Sequence, residues 1–106
     1  MSTTLAREWQ AVIANMTARP WIQHQLQRGD AVCARGAVMT CEGLIPGDEH
    51  ILWQVAYRQG LTEAWNDAAG RTKEQVVVWM RSVGVTDTDL ELTFGPQWRR
   101  VVALVR

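Results

Sequence analysis

Lysine is almost absent from this chain: Lys73 stands alone against ten arginines, and the eleven basic and eleven acidic side chains cancel to zero formal charge. A general nucleic-acid binder needs a cationic excess to displace counterions from phosphate, so that class is disfavoured. A polybasic membrane anchor is disfavoured for the same reason. Long apolar runs are missing too, and nothing approaches the ~20 residues of a membrane span. Residues 1–18 are broken by Arg7, Glu8 and Gln10, which leaves no apolar core for a signal peptide. The expectation is a cytoplasmic chain. Cysteine is limited to Cys33 and Cys41, both expected as free thiols in a reducing compartment. Repeats and low-complexity tracts are absent, as are the Walker, GxGxxG, GxSxG and HExxH patterns.

What is present is apolar surface and indole. The 106 residues are 47% hydrophobic, enough for one modest core in a single domain spanning 1–106 and too much for a disordered tail. Tyrosine and phenylalanine occur once each, whereas tryptophan occurs six times. That is a large amount of rigid amphipathic area for so small a domain.

Periodicity organises most of the chain into helices. Leu5, Trp9, Val12, Ile13 and Met16 recur at helical spacing, with Arg7, Glu8, Gln10 and Asn15 opposite. This first helix is expected to be capped near Thr3 or Thr4 and stopped at Arg19-Pro20. Residues 21–27, "WIQHQLQ", alternate, with Ile22, His24 and Leu26 on one side, and read as a short extended segment. Arg28-Gly29-Asp30 reads as a turn. A second helix is expected from an Asp30 cap to Gly43, with Ala34, Ala37, Val38 and Cys41 as its stripe. Its small residues suit a central position with close neighbours.

A third helix, 49–59, is expected from an Asp48 cap to Gly60. Ile51, Leu52, Val55 and Ala56 face inward, and Trp53 and Tyr57 form an i,i+4 pair on another side. Residues 61–65 add about one helical turn. Thr72 and Gln75 fit a capping box opening a helix whose stripe is Val76, Trp79, Met80 and Val83, and Gly70 supplies a positive φ before it. In the tail, Leu90, Leu92 and Phe94 alternate with Glu91 and Thr93 and read as a strand. Trp98, Val101, Val102 and Val105 have helical spacing, with Pro96 suited to a first helical position; a hairpin at Gly95-Pro96 is the alternative. The fold expected is mainly α: a compact bundle of four or five short helices with at most a small two- or three-stranded β element.

The segment "CARGA", with Cys33, Gly36 and Ala37, followed by "WNDAAGRTKEQV", resembles a pattern of uncharacterised actinobacterial and actinophage proteins, the DUF6197 family. Trp21, Trp65, Asn66, Asp67, Gly70, Arg71 and Thr72 match as well. The resemblance covers residues 5–84, a family-like helical core, and leaves 85–106 as a divergent C-terminal extension. Ala69 stands where the family often has proline. The resemblance implies an actinobacterial or phage source, which the arginine bias of a GC-rich coding genome also fits. It implies no mechanism, because the family has no established activity.

Five kinds of site can be weighed. Asp67 could act as a general base oriented by Asn66, with Arg71 holding an anion. The same residues suit a helix junction, where Asn and Asp bond local amides and Arg71 bridges Asp67, and that reading is preferred, so no catalytic residue is expected. Cys33, Cys41, His24 and His50 could offer metal ligands, but cysteines eight apart on one helix are roughly 12 Å apart, too far for one ion. No metal or cofactor is expected. Either cysteine with His24 or His50 as a nucleophile would need an orienting group and an exposed, electropositive setting, whereas cysteine among alanines is more often a small core residue. DNA binding through a helix-turn-helix in 60–83, or through Arg99, Arg100 and Arg106, is the runner-up function; the polar face of 72–82 offers few side chains suited to base edges. The tryptophan surplus points elsewhere. Trp53, Tyr57, Arg58 and Trp98 have the composition of a protein-binding hot spot, for a host protein or a homodimer. The alternative for them is a self-contact, with the tail folded over Trp53.

Overall fold

The first helix closes its own periodicity. In a computed structural model that describes residues 4–105, Leu5, Trp9, Val12, Ile13 and Met16 are all buried along α1 (Thr4–Ala18). Pro20, without an amide hydrogen, follows its end. Thr3 and Arg106 lie outside the described residues. Glu8, assigned above to the solvent face, is buried instead, and its Oε2 accepts from the Ile45 amide at 2.7 Å. Asn15 also turns inward, donating to the Ala37 carbonyl and the Thr40 hydroxyl.

The chain then forms an antiparallel hairpin, β1 (Gln27–Arg28) and β2 (Ala31–Val32), pairing Gln27 with Val32 and Arg28 with Ala31 around the Gly29-Asp30 turn. The extended segment expected over 21–27 is shorter than that: Trp21 makes one bridge to Val32, residues 23–26 bend, and His24 takes a left-handed φ of 66°. This hairpin also corrects the second helix. Val32 donates to the Pro20 carbonyl and accepts from Ile22, so residues 31–32 are held extended. The helix α2 (Ala34–Met39) starts only after Cys33, whose Sγ accepts from the Gly36 amide as N-cap, and it stops at Thr40 rather than Gly43. Its small residues do allow close approach. A Cβ on Gly36 would stand 1.9 Å from the Leu26 carbonyl oxygen.

Next come α3 (Asp48–Arg58), α4 (Glu63–Asn66), α5 (Lys73–Ser82), α6 (Asp87–Phe94) and α7 (Trp98–Val105). Gly47, not Asp48, is the N-cap of α3, and Asp48 sits in its first turn. Among the described residues there are seven helices, five of them of seven residues or more, and one two-stranded hairpin; the mainly helical bundle is therefore as expected. The hub is α3. It packs against α1 and α2 on one side and α6 and α7 on the other, while α5 lies on α1 and α4 on α2.

Two tail expectations separate. Residues 98–105 are helical, although Pro96 lies in a turn before the helix. Residues 90–94 are not a strand: Thr86 and Asp89 form a reciprocal capping box that starts α6. Leu90 is buried and Leu92 is exposed. Leu90, Trp98 and Val102 join the same hydrophobic cluster as α1 and α3, so the tail completes the core.

The C-terminal end of α5 is satisfied by distant side chains. The Trp9 indole donates to the Met80 carbonyl at 2.8 Å. Gln59 both donates to the Gly84 carbonyl and accepts from the Gly84 amide. Lys73 does the same service for α1, its Nζ donating to the Thr17 and Arg19 carbonyls. Each pair fills groups that a helix end leaves open.

Candidate functional site

The segment from Trp65 to Gln75 is where distant parts of the chain meet. Thr62 caps α4 by accepting from the Trp65 amide, and α4 ends one turn later at Asn66. Asn66 is fully buried. Its Oδ1 accepts from the Trp21 indole at 2.9 Å and the Ala34 amide at 3.1 Å. Its Nδ2 donates to Asp67 Oδ1 at 3.0 Å and to the Ile22 carbonyl. Gln23 donates to the Asn66 and Ala68 carbonyls. The local-amide reading of Asn66 is therefore corrected: its partners lie up to 45 residues away, and it ties the 21–34 segment to the end of α4.

Asp67 continues this tie. Its Oδ1 accepts from the His24 amide at 2.8 Å, and its Oδ2 is 3.9 Å from His24 Nδ1. Burial works to raise the Asp67 carboxyl, but the His24 amide, the Asn66 side chain and the His24 ring together hold it below the ordinary carboxylate value. A group held low is not poised as a base near neutrality.

Arg71 goes elsewhere, which corrects the bridge to Asp67. Its Nε donates to the Trp65 carbonyl at 3.0 Å, and its guanidinium lies 3.9 Å from the Trp65 ring centroid. Trp79 stacks on Trp65 with centroids 5.5 Å apart and planes 27° from parallel. Arg71, Trp65 and Trp79 thus form a shelf on the surface. Beside it is an open cleft of about 440 Å³ lined by these three with Glu74, Gln75 and Val78. Trp79, expected in the core, is 36% exposed, and Val78 is 64% exposed. Gly70 takes the expected positive φ, here 80°. Thr72 and Gln75 form the expected reciprocal capping box. Thr72→Ala is expected to cost about 0.5–2 kcal/mol of stability; an unchanged urea midpoint would reject the cap.

A second, smaller cleft of about 210 Å³ lies across the tie, lined by His24, Gln25, Leu26, Cys33, Arg35, Glu63 and Asp67. Arg35 and Glu63 close one side with a 2.8 Å ion pair. Cys33, His24 and Asp67 share this cleft, a combination that nucleophilic catalysis uses. The chemistry is tuned the other way. Burial pushes the Cys33 thiol up, outweighing the Gly36 and Arg35 amides, and the Asp67 carboxylate pushes it further. Burial also raises the Cys41 thiol. Alkylation by iodoacetamide at neutral pH is expected to be slower at Cys33 than at free cysteine, because the thiolate is the reactive form. Faster alkylation would make this cleft a thiol centre. The cysteines flank α2 rather than share it, and among the described residues no group of three or more His, Cys, Asp or Glu is placed to hold a metal.

The other expected contact residues divide. Trp53 and Trp98 are buried in the core cluster, which corrects their assignment to an exposed patch. The tail does fold onto α3, with α6 and α7 both against it. The Arg99 guanidinium lies 4.3 Å from the Trp98 ring centroid and pairs with Asp87. Tyr57 and Arg58 are exposed at the end of α3. That end turns at Gly60, where an added Cβ would be 3.5 Å from Trp79 Cζ2. Val78, Trp79 and Gln23 are the residues sequence reasoning missed. The signal for Val78 was available, since it lies opposite Val76 and Met80 on the helical wheel.

No protein-family model matches this chain, and neither does any curated protein or solved structure. The resemblance to DUF6197 rests on the motif residues alone. No described helix is long and apolar enough to cross a membrane.

Proposed function

We propose that this chain is a small non-enzymatic interaction protein that docks on another protein through the Trp65–Trp79–Arg71 shelf. On the strength of its motif, we assign it to an actinobacterium or its phage, with a host protein as the partner it binds and modulates in the cytoplasm. One observation carries the reading. A tryptophan in contact with both a guanidinium and a second, exposed tryptophan is partly desolvated and belongs to a cluster of the residue types that dominate binding hot spots. Tyr57 and Arg58, exposed in the last turn of α3, lie within three residues of Gly60, which approaches Trp79, and are assigned to the same surface.

The DNA-binding alternative would have to read bases with α5. The exposed side chains there are Glu74, Gln75, Val78, Trp79, Arg81 and Ser82; Gln75 is committed to the cap, Arg81 is a single cation, and Glu74 would face phosphate. The enzyme alternative needs Asp67 and Arg71 together, and they line different clefts.

The test is capture from host cytosol by wild type and by Trp79→Ala and Tyr57→Ala, each corrected for its folded fraction. Removing a central aromatic anchor is expected to weaken the partner by about 2 kcal/mol or more, roughly thirtyfold. Tyr57→Ala is expected to leave the melting temperature nearly unchanged, as an exposed side chain should. A partner held equally well by Trp79→Ala would place the contact elsewhere.

A further inference from the structure

The outer face of α5 adjoins the shelf and shares Glu74 and Val78 with the cleft beside it. Its main packing partner is α1, and Val76 and Met80 fill that side. Along a flank of α5 that borders α1, Glu74, Val77, Val78 and Arg81 follow one another at i, i+3, i+4 and i+7, the spacing of a single helix stripe, with Val77 resting against the core. Glu74 and Arg81 are exposed, Val78 is exposed and Val77 half-buried. With Thr17 and Lys73 these four residues line a groove of about 390 Å³. Lys73 is already committed to the α1 carbonyls. Glu74 and Arg81 make no ion pair or side-chain hydrogen bond among the described residues.

The order of this stripe is its own complement. An acid stands at one end, a base at the other and two valines between. Laid antiparallel on a copy of itself about a two-fold axis between Val77 and Val78, the stripe sets Glu74 against Arg81 twice and Val77 against Val78 twice. A parallel arrangement would set Glu74 on Glu74 and Arg81 on Arg81. A two-fold contact requires self-complementarity of this kind, and like charges face to face are penalised. The chain's zero net charge removes any general repulsion between copies.

We infer that α5 is a homodimer seam, with the Glu74–Arg81 pairs setting its antiparallel register. The ten residues of α5 span about 15 Å, so the contact belongs to the small, weak class of interfaces. The seam shares Glu74 and Val78 with the cleft beside the shelf, so the two contacts are told apart by readout: self-association of the pure chain reports the seam, and capture of a partner reports the shelf.

Sedimentation equilibrium of the full chain tests this. The wild type is expected to dimerise reversibly at protein concentrations up to about 1 mM, the range of a weak contact. Glu74→Arg and Arg81→Glu are each expected to weaken the dimer about tenfold or more by placing like charges opposite. An equimolar mixture of the two single variants is expected to recover it, since every Arg at 74 or 81 then meets a Glu; the double exchange is expected to recover it within one chain. Val78→Asp, which leaves both original charges in place, is expected to yield monomer. A wild type that stays monomeric throughout overturns the seam. So do single variants that dimerise like wild type, or a mixture of folded variants that recovers nothing.

Discussion

Asn66→Ala is expected to cost about 3–5 kcal/mol of stability, a large share of what a domain this size holds. The substitution removes the acceptor of the Trp21 indole and of the buried Ala34 amide, and each stranded donor costs about 1–3 kcal/mol. It also removes the donor to Asp67 and Ile22 and leaves space at a fully buried position. Asn66→Asp keeps an acceptor but buries a charge beside Asp67, so it is expected to be no better tolerated. Urea unfolding checks both, with the midpoint moving and the slope held. A loss below about 1 kcal/mol would mean that water replaces the side chain and that the tie is not structural.

Gly36→Ala is expected to cost about 3 kcal/mol, at the upper end of what overpacking does. The added methyl would meet the Leu26 carbonyl oxygen at 1.9 Å and the Val32 Cβ at 3.1 Å. The first neighbour is backbone, and it is already held by the Cys33 amide, so it cannot move aside without losing that bond. Gly70→Ala is the control. Gly70 has φ of 80° with nothing within 4 Å of an added Cβ, so only the left-handed strain of roughly 1–2 kcal/mol remains. Thermal melts of the two variants should therefore differ clearly. Equal losses would mean that the 23–26 bend yields to make room.

What could be read in the sequence is what a few neighbouring residues decide among themselves. The Thr72–Gln75 box, the Gly70 turn and the buried stripe of α1 all follow from spacings of three or four residues, and all are in place. Trp53 was misassigned because its burial is set by a second layer. It falls beside the main stripe of α3, but α3 packs against α6 and α7 as well as α1 and α2, and the period of one helix does not say how many neighbours it has. Trp79 is the converse: its spacing fits the stripe of α5, but α5 is covered mainly by α1, so a residue at the stripe's margin reaches solvent. The strand reading of 90–94 took alternation as decisive where Leu92 is simply exposed. Thr86 and Asp89, three apart, carried the local signal that alternation obscured. The site was the least legible part. The motif marked Asn66, Asp67 and Arg71, but Asn66 serves groups 32–45 residues away, and no local spacing encodes those partners.

The Trp9–Met80 hydrogen bond sets an order for synthesis. Its donor leaves the ribosome 71 residues ahead of its acceptor, which at 5–20 residues per second is a delay of roughly 4–14 s. Through that interval the α1 stripe has only α2 and α3 to lie on as they emerge, and the side that α5 covers stays open. The emergence of α5 then completes the cover of α1 and supplies the carbonyl that the indole lacks.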